Sequence, residues 1–306
     1  MQINTHASYA AATDRMSALS ADLDQVQAQI ASGKRIIAAD DDPIGAARVT
    51  QLHRALTTDT ATQRAVDAAG SRLAATDNAL DGVGNLLARA KEIALLGGNA
   101  TFSAADRATL AADAKNLSEQ LLGFANRTDS DGSSLFGGAR RSGTAYAVDP
   151  LTGLTNWQGA GSAPALALDA NLVATGIEGP AAFAGLPGAS GPTDAFALLT
   201  ALQAALVEPN AALRSTALAA AATGLDAGIG RIADTRALVG ARMARLDSET
   251  ARINASNLQL NKDLETAEGI NMASAIARLQ RLTSVLSATQ ASFVKVQSLS
   301  LWDALR

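Results

Sequence analysis

Residues 16–30 read MSALSADLDQVQAQI, and this stretch sets the architecture of the chain. Its apolar side chains are separated by three, four, three and four residues, and they are Met16, Leu19, Leu23, Val26 and Ile30. That spacing is typical of a helix that packs against another helix along a narrow seam. Gly33 follows as a natural helix C-cap, and Lys34 and Arg35 suit the negative end of the helix dipole.

A second, much longer helix is predicted over residues 44–96. Asp42 is a good N-cap for this helix, and Pro43 suits its first helical position. Apolar side chains recur in it every seven residues, at Val66, Leu73, Leu80 and Leu87. Ser103 and Asp106 then resemble a capping box that opens a third helix.

The composition of the sequence changes at residue 129, where turn-forming residues begin to cluster. Residues 144–148 and 154–158 flank a DPLTG turn, which predicts a β-hairpin. Glycine and proline stay frequent up to residue 192. We therefore predict a small β-rich domain, residues 139–192, inserted into a helical body.

Helical patterns return after the insert, with Thr193 predicted as the first N-cap. A very long helix follows, whose apolar residues lie close to a 3.5-residue period: Ile232, Val239, Met243, Leu246, Ile253, Leu260 and Leu264. Gly269 is predicted to interrupt it. The last helix carries one apolar stripe of Met272, Ile276, Leu279, Leu286 and Phe293, and a neighbouring stripe of Leu282, Val285, Val296 and Leu299. Two stripes are one more than a single partner helix would use.

These patterns predict a mainly α fold with a small β-rich insert, in which the N- and C-terminal segments form a long antiparallel helical bundle or coiled coil. Three domains are expected. Residues 1–30 pair with 270–306 as a terminal coiled coil, 31–138 pair with 193–269 as a helical bundle with a β-hairpin, and 139–192 form the outer insert. A terminal helix of this length is marginal alone in water, so the ends need partners.

The composition argues against several classes of protein. Aromatic residues make up only 3% of the chain, whereas a compact enzyme core usually contains more rings. The net charge of -4 gives no electrostatic reason to bind nucleic acid. The chain has no cysteine, no apolar stretch of about 20 residues and no secretory signal at its start. We expect no membrane insertion and an uncleaved N-terminus.

Catalytic, cofactor and metal sites are not expected from the motifs. The two histidines, His6 and His53, lie on different predicted segments, which argues against a histidine-based catalytic group. The aspartates at 40–42 are better explained by helix capping than by a metal ion. Asp129 opens a stretch like a calcium loop, but Arg140 stands where an acidic ligand is needed, so we predict a turn.

Four short motifs, in order, carry a resemblance to a known family. They are ASGKRI at 31–36 followed by DDDP at 40–43, GSSLFGG at 132–138, VGARMARLD at 239–247 and SLSLWDAL at 298–305. Together they resemble flagellin-type axial proteins of bacterial flagella. The Asp-Asp-Pro form is more similar to the hook-associated protein 3 family than to flagellins proper. One departure is EGIN at 268–271, where the family usually has an acidic stretch.

This resemblance implies a structural role and not an enzymatic one. It implies a flagellin-like fold and export through the flagellar type III apparatus. It also implies assembly between hook-associated protein 1 and flagellin, in a ring of identical subunits, after binding to a flagellar export chaperone. The alternatives are a filament-forming flagellin and, less favoured, a helical enzyme with an active site in the insert. The insert has only three acidic residues between 143 and 192 and no lysine, arginine or histidine, which argues against the enzyme.

Two groups of residues are the predicted functional site. The assembly interface consists of Met16, Leu19, Leu23, Val26, Ile30, Met272, Ile276, Leu279, Leu282, Leu286, Phe293 and Val296. The family-signature loop consists of Gly33, Lys34, Arg35, Asp41, Asp42 and Pro43.

Overall fold

The computed structural model describes residues 2–140, 142–168 and 171–304, without the side chains of 2–6, 8 and 296–304. The helices are α1 (Gln2–Ser32), α2 (Pro43–Gly97), α3 (Ala104–Ala125), α4 (Gly179–Phe183), α5 (Ala195–Val207), α6 (Ala211–Glu268) and α7 (Met272–Ala304). The strands are β1 (Tyr146–Val148), β2 (Thr155–Trp157), β3 (Ala165–Leu168), β4 (Asn171–Ala174), β5 (Ala184–Gly188) and β6 (Gly191–Asp194). The mainly α class with a small β-rich insert is thereby confirmed.

The chain divides into two compact units, and α2 and α6 contribute residues to both. The first unit contains residues 1–60 and 254–306, and the second contains residues 61–253. In the first unit α1 packs against α7, so the predicted pairing of the two ends is confirmed. The three-part domain division stays a prediction.

The core of the second unit lies along α2 and α6, which run antiparallel. Arg236 of α6 donates to Asp77 at 2.9 Å and to Asp81 at 2.6 Å. These two aspartates lie one helical turn from each other on α2. The predicted heptad residues of α2 are all buried, and they are Val66, Leu73, Leu80 and Leu87. Of those predicted on α6, Ile232, Val239, Leu246 and Ile253 are buried, whereas Met243, Leu260 and Leu264 are only half-buried. The spacing in the sequence thus identified the buried face of each helix correctly.

The shorter helices α3 and α5 pack against each other and cover this core. Ser103 and Asp106 form the predicted capping box of α3, with the serine hydroxyl accepting from the Asp106 amide at 3.2 Å. The N-cap of α5 is different from the prediction. Thr193 belongs to β6, and the Asp194 carboxylate accepts from the Ala197 amide at 2.8 Å. Thr193 pairs with Leu186 instead, and β6 continues to Asp194, two residues beyond the end predicted for the insert at residue 192.

The insert consists of three separate antiparallel two-stranded sheets, β1–β2, β3–β4 and β5–β6. The first is the predicted hairpin, in which Tyr146 pairs with Trp157 and Val148 pairs with Thr155. The Tyr146 ring lies 4.8 Å from the Phe196 ring of α5 and 5.7 Å from the Phe183 ring of α4. Burial raises the pKa of the Tyr146 hydroxyl well above its ordinary value. The insert therefore shares its core with the helices.

The segment at residue 129 is a turn, as predicted. The Asp129 carboxylate accepts from the amides of Asp131 at 3.0 Å and Ser133 at 2.8 Å, and it pairs with the guanidinium of Arg72. Among the described residues no cluster of three or more metal-binding side chains occurs. No described helix is both long enough and apolar enough to cross a membrane.

Glycine at position 224 of α6 allows a close helix approach. A Cβ atom there would lie 2.5 Å from Cδ2 of Leu198 and 2.6 Å from the carbonyl oxygen of Pro187. We expect Gly224→Ala to lower the free energy of unfolding by about 1–3 kcal/mol, because overpacking forces backbone shifts. A Cβ atom at Gly230 of the same helix would meet no atom within 4 Å, so Gly230→Ala is the matched control and stabilises by up to about 1 kcal/mol. Urea unfolding measures the free energy of unfolding of both variants. Equal changes in the two variants would contradict the close packing at Gly224.

Candidate assembly interface

The candidate interface is built on the seam between α1 and α7. On α1 the buried and half-buried side chains recur at three- and four-residue steps: Tyr9, Ala12, Met16, Leu19, Leu23, Val26 and Ile30. On α7 they are Ala275, Leu279, Leu282, Leu286, Thr289 and Phe293. Both lists follow a heptad repeat, which is the pattern of an antiparallel coiled coil. All five residues predicted on α1 lie on this seam.

Contacts at both ends fix the register of the seam. Near the termini, the rings of Tyr9 and Phe293 meet edge to face with centroids 5.6 Å apart. At the other end, the amide of Ile270 donates to the carbonyl oxygen of Gly33 at 3.2 Å. Tyr9 was not among the predicted interface residues, although it lies seven residues before Met16 and therefore at the same heptad position.

The two stripes predicted on α7 divide differently in the structure. Leu282, assigned to the second stripe, lies on the seam with Leu279, Leu286 and Phe293. Met272 and Ile276, assigned to the first, are 46% and 45% exposed. The seam on α7 follows the heptad phase of Ala275 and Thr289. Neither residue gives a strong apolar signal in the sequence, so the predicted stripes had a different phase. The side chain of Val296 lies outside the described residues.

The seam is only partly shielded within one chain. Val26 and Ala275 are buried, but the other seam residues are half-buried, and Val285 and Val294 are exposed. In the second unit the corresponding heptad residues of α2 are almost completely covered, with Leu73 and Leu80 at 0% exposure. Apolar area left in contact with water is the area that another protein surface could still bury.

The signature loop joins α1 to α2 and also contacts the end of α6. Gly33 has a φ of 69°, which is the left-handed conformation expected for a helix C-cap glycine. The amide of Arg35 donates to the carbonyl oxygen of Glu268 at 2.6 Å, beside an isolated bridge between Lys34 and Gly269. Gly269 ends α6, as predicted.

Lys34 and Arg35 act on a different helix end from the one predicted. Lys34 pairs with Glu268 at 3.0 Å, and the guanidinium of Arg35 donates to the carbonyl oxygen of Ala267 at 3.1 Å. They therefore lie at the C-terminal end of α6, where cations interact favourably with the helix dipole. Their own helix α1 ends next to α6, a long-range arrangement that local sequence rules do not contain.

The aspartates of the loop are helix and turn caps. Asp42 is the N-cap of α2, as predicted, since its carboxylate accepts from the Gly45 amide at 2.9 Å; the same group pairs with Arg35 at 3.1 Å. The Asp41 carboxylate accepts from the amides of Ala38 at 3.0 Å and Ile37 at 2.9 Å. Pro43 occupies the first position of α2.

These hydrogen bonds favour the ionised carboxylates. The backbone amides of Ala38 and then Ile37 lower the pKa of Asp41. The backbone amide of Gly45, followed by the side chain of Arg35, lowers the pKa of Asp42. Both carboxylates act as caps, so their role is structural. They help to fix the geometry of the joint between α1, α2 and α6.

Comparisons with known proteins point in the same direction. Residues 3–141 match the bacterial flagellin N-terminal helical region. Flagellar hook-associated protein 3 of Escherichia coli strain K12 is 25% identical over 290 residues, which cover 90% of each protein. A flagellin of Listeria monocytogenes is 26% identical over 272 residues, covering 88% of this chain and 85% of the flagellin.

Solved structures share the fold. The crystal structure of flagellar hook-associated protein 3 from Legionella pneumophila superimposes with a TM-score of 0.66 at 17% identity, covering 71% of this chain and 98% of its own. The paired terminal helices and the matched N-terminal region give the chain the helical fold of flagellin-type proteins. Within that class, the chain is similar to flagellar hook-associated protein 3 of Escherichia coli over 90% of its length.

The joint can be tested through Arg35, whose side chain links the N-terminus of α2 to the C-terminus of α6. We expect Arg35→Ala to speed hydrogen exchange of the amides at 35 and 270 by about fivefold, the size of one exposed ion pair. Arg54→Ala removes an exposed arginine of α2 that has no ion-pair partner among the described residues, so it serves as the control. Unchanged exchange at both amides in Arg35→Ala would show that the side chain does not hold the joint.

Proposed function

We propose that this protein is the junction between the flagellar hook and the flagellin filament. The observation that carries the proposal is the half-shielded seam of α1 and α7, in a chain that is similar to hook-associated protein 3 over 90% of its length. A protein that works alone gains nothing from long terminal helices with exposed apolar residues. A protein that assembles can bury those residues against its neighbours.

The proposed partners follow from the position of a junction. One side contacts the hook end, through hook-associated protein 1, and the other contacts the first flagellin subunits. Identical copies lie side by side in a ring. Before assembly, a flagellar export chaperone binds the chain, and the type III apparatus exports it without a cleavable signal. The site of action is the flagellum outside the cell.

The proposed assembly surface is the set of terminal residues predicted from the sequence. Its α1 members and Leu279, Leu282, Leu286 and Phe293 hold residues 16–30 and 279–293 of one chain together. All of them except Val26 keep part of the side chain uncovered. Met272 and Ile276 are exposed and are available to a neighbouring subunit. The signature loop fixes the direction in which this coiled coil leaves the ends of α2 and α6.

A filament-forming flagellin is the second candidate, favoured by the similarity to the Listeria flagellin. Two features favour the junction protein instead. The Asp42–Pro43 pair at the start of α2 has the form typical of hook-associated protein 3, and so does the C-terminal SLSLWDAL at 298–305. A flagellin would also have to build a long polymer of identical copies, which is a separate and measurable property.

A deletion experiment separates the two functions. We expect a strain without this chain to keep its hooks and to release flagellin monomers into the medium, because the filament has no base on which to grow. Electron microscopy of the hooks and protein gels of the medium measure both effects. The intact gene is the positive control, and a gene that lacks codons 2–30 is expected to fail.

Two outcomes would contradict the proposal. Hooks without filaments and without any released flagellin would indicate that the chain is itself the filament protein. Normal filaments in the deletion strain would exclude a junction role.

A further inference from the structure

The two helices of the terminal coiled coil differ in charge. In the sequence, α1 contains Asp14, Asp22 and Asp24 and only one arginine, Arg15. From residue 272 to residue 295, α7 contains Arg278, Arg281 and Lys295 and no acidic residue. An acidic helix and a basic helix therefore lie side by side in each molecule.

Five of these charged side chains form no ion pair among the described residues. Asp14, Asp22 and Asp24 are exposed, as are Arg278 and Arg281. Ion pairs do occur elsewhere in the described residues, but these five side chains take part in none of them within 4.0 Å. The seam itself is held by apolar contacts, so its stability does not explain the difference in charge.

Two cations of α7 precede an exposed apolar residue on the same flank of the helix. Arg278, Arg281 and Val285 are separated by three and four residues, which places them on one flank of the helix beside the seam. Val285 is 43% exposed. An apolar residue with a charged rim is the composition of a protein contact, in which the apolar part is buried and the rim selects the partner.

We propose that this basic flank of α7 docks on the acidic outer surface of α1 of a second copy of the chain. The proposal rests on the junction function, and it adds the rule by which neighbouring copies recognise each other. A contact between two different surfaces is head-to-tail and can close into a ring. Contacts of α1 with α1, or of α7 with α7, bring like charges together and are disfavoured.

Charge reversal on each helix tests the rule in cells that lack the natural copy. The α1-reversed variant carries D14K, D22K and D24K, and the α7-reversed variant carries R278E and R281E. Four strains are compared: each variant alone, both sets of changes in one chain, and the two variants expressed together as separate chains. The fraction of hooks that bear filaments is counted by electron microscopy.

Each variant alone is expected to reduce filament-bearing hooks by about tenfold or more, because every contact in the ring becomes repulsive. The doubly reversed chain restores attraction at every contact and is expected to recover. Co-expression is also expected to recover, because the two variants can alternate around the ring with opposite charges facing each other.

Co-expression of the two variants decides whether the charges act between molecules or within one molecule. Within one molecule each variant keeps its like-charged pair of helices, so co-expression cannot repair an effect that arises inside the chain. If only the doubly reversed chain recovers, the charges act within the molecule and the proposal is wrong. If neither recovers, the charged surfaces face a different flagellar protein or other groups, and the proposal is equally wrong. Normal filaments with each variant alone would also overturn it.

A net-charge control excludes a general effect on export. Asp113, Glu119 and Asp247 are exposed acidic residues of the second unit without ion-pair partners among the described residues. D113K, E119K and D247K together add the same charge as the α1 reversal and are expected to leave filaments normal. The natural chain tests the junction function separately: if it restores filaments while the reversed variants also do, the function stands and the charge rule fails.

Discussion

The seam between α1 and α7 is the contact on which the rest of the terminal unit depends. It joins the two ends of a 306-residue chain, so neither helix has its partner until the whole polypeptide is present. Its heptad residues are mostly half-buried, whereas those of α2 and α6 in the second unit lie under α3, α5 and the insert. A two-helix seam of small and medium side chains provides limited apolar burial against the entropy of ordering two long helices. Under the proposed junction function, neighbouring subunits bury the apolar area that one chain leaves exposed.

The signature loop sets the direction in which the coiled coil of α1 and α7 leaves the ends of α2 and α6. Arg35, Asp42 and Gly33 connect three helix ends through backbone bonds, one ion pair and one left-handed glycine. Each of these interactions is modest because the groups are largely exposed to water. Their combination is specific, since the Arg35 side chain reaches both the N-cap of α2 and the last turn of α6.

Local rules predicted much of this structure, and long-range contacts account for what they missed. Heptad spacing located the buried faces of α2 and α6, and capping chemistry located Gly33, Asp42 and Ser103, because both depend on nearby residues alone. The first residue of α5 was misplaced by one position, since pairing with β5 takes Thr193 into a strand. The phase of the α7 seam depends on Ala275 and Thr289, whose small or polar side chains give no signal in sequence. Lys34 and Arg35 contact α6 across more than 230 positions of the chain, which no local pattern encodes.

Hydrogen exchange of the seam amides tests whether the seam is incomplete within one chain. The measurement compares the free subunit with the assembled junction. The half-shielded seam predicts rapid exchange in residues 9–30 and 275–293 of the free subunit, slow exchange in the core around Leu73 and Leu80, and strong protection of both terminal segments after assembly. Equal protection of the terminal segments in the free subunit and in the junction would contradict it, because the seam would then be complete within one chain.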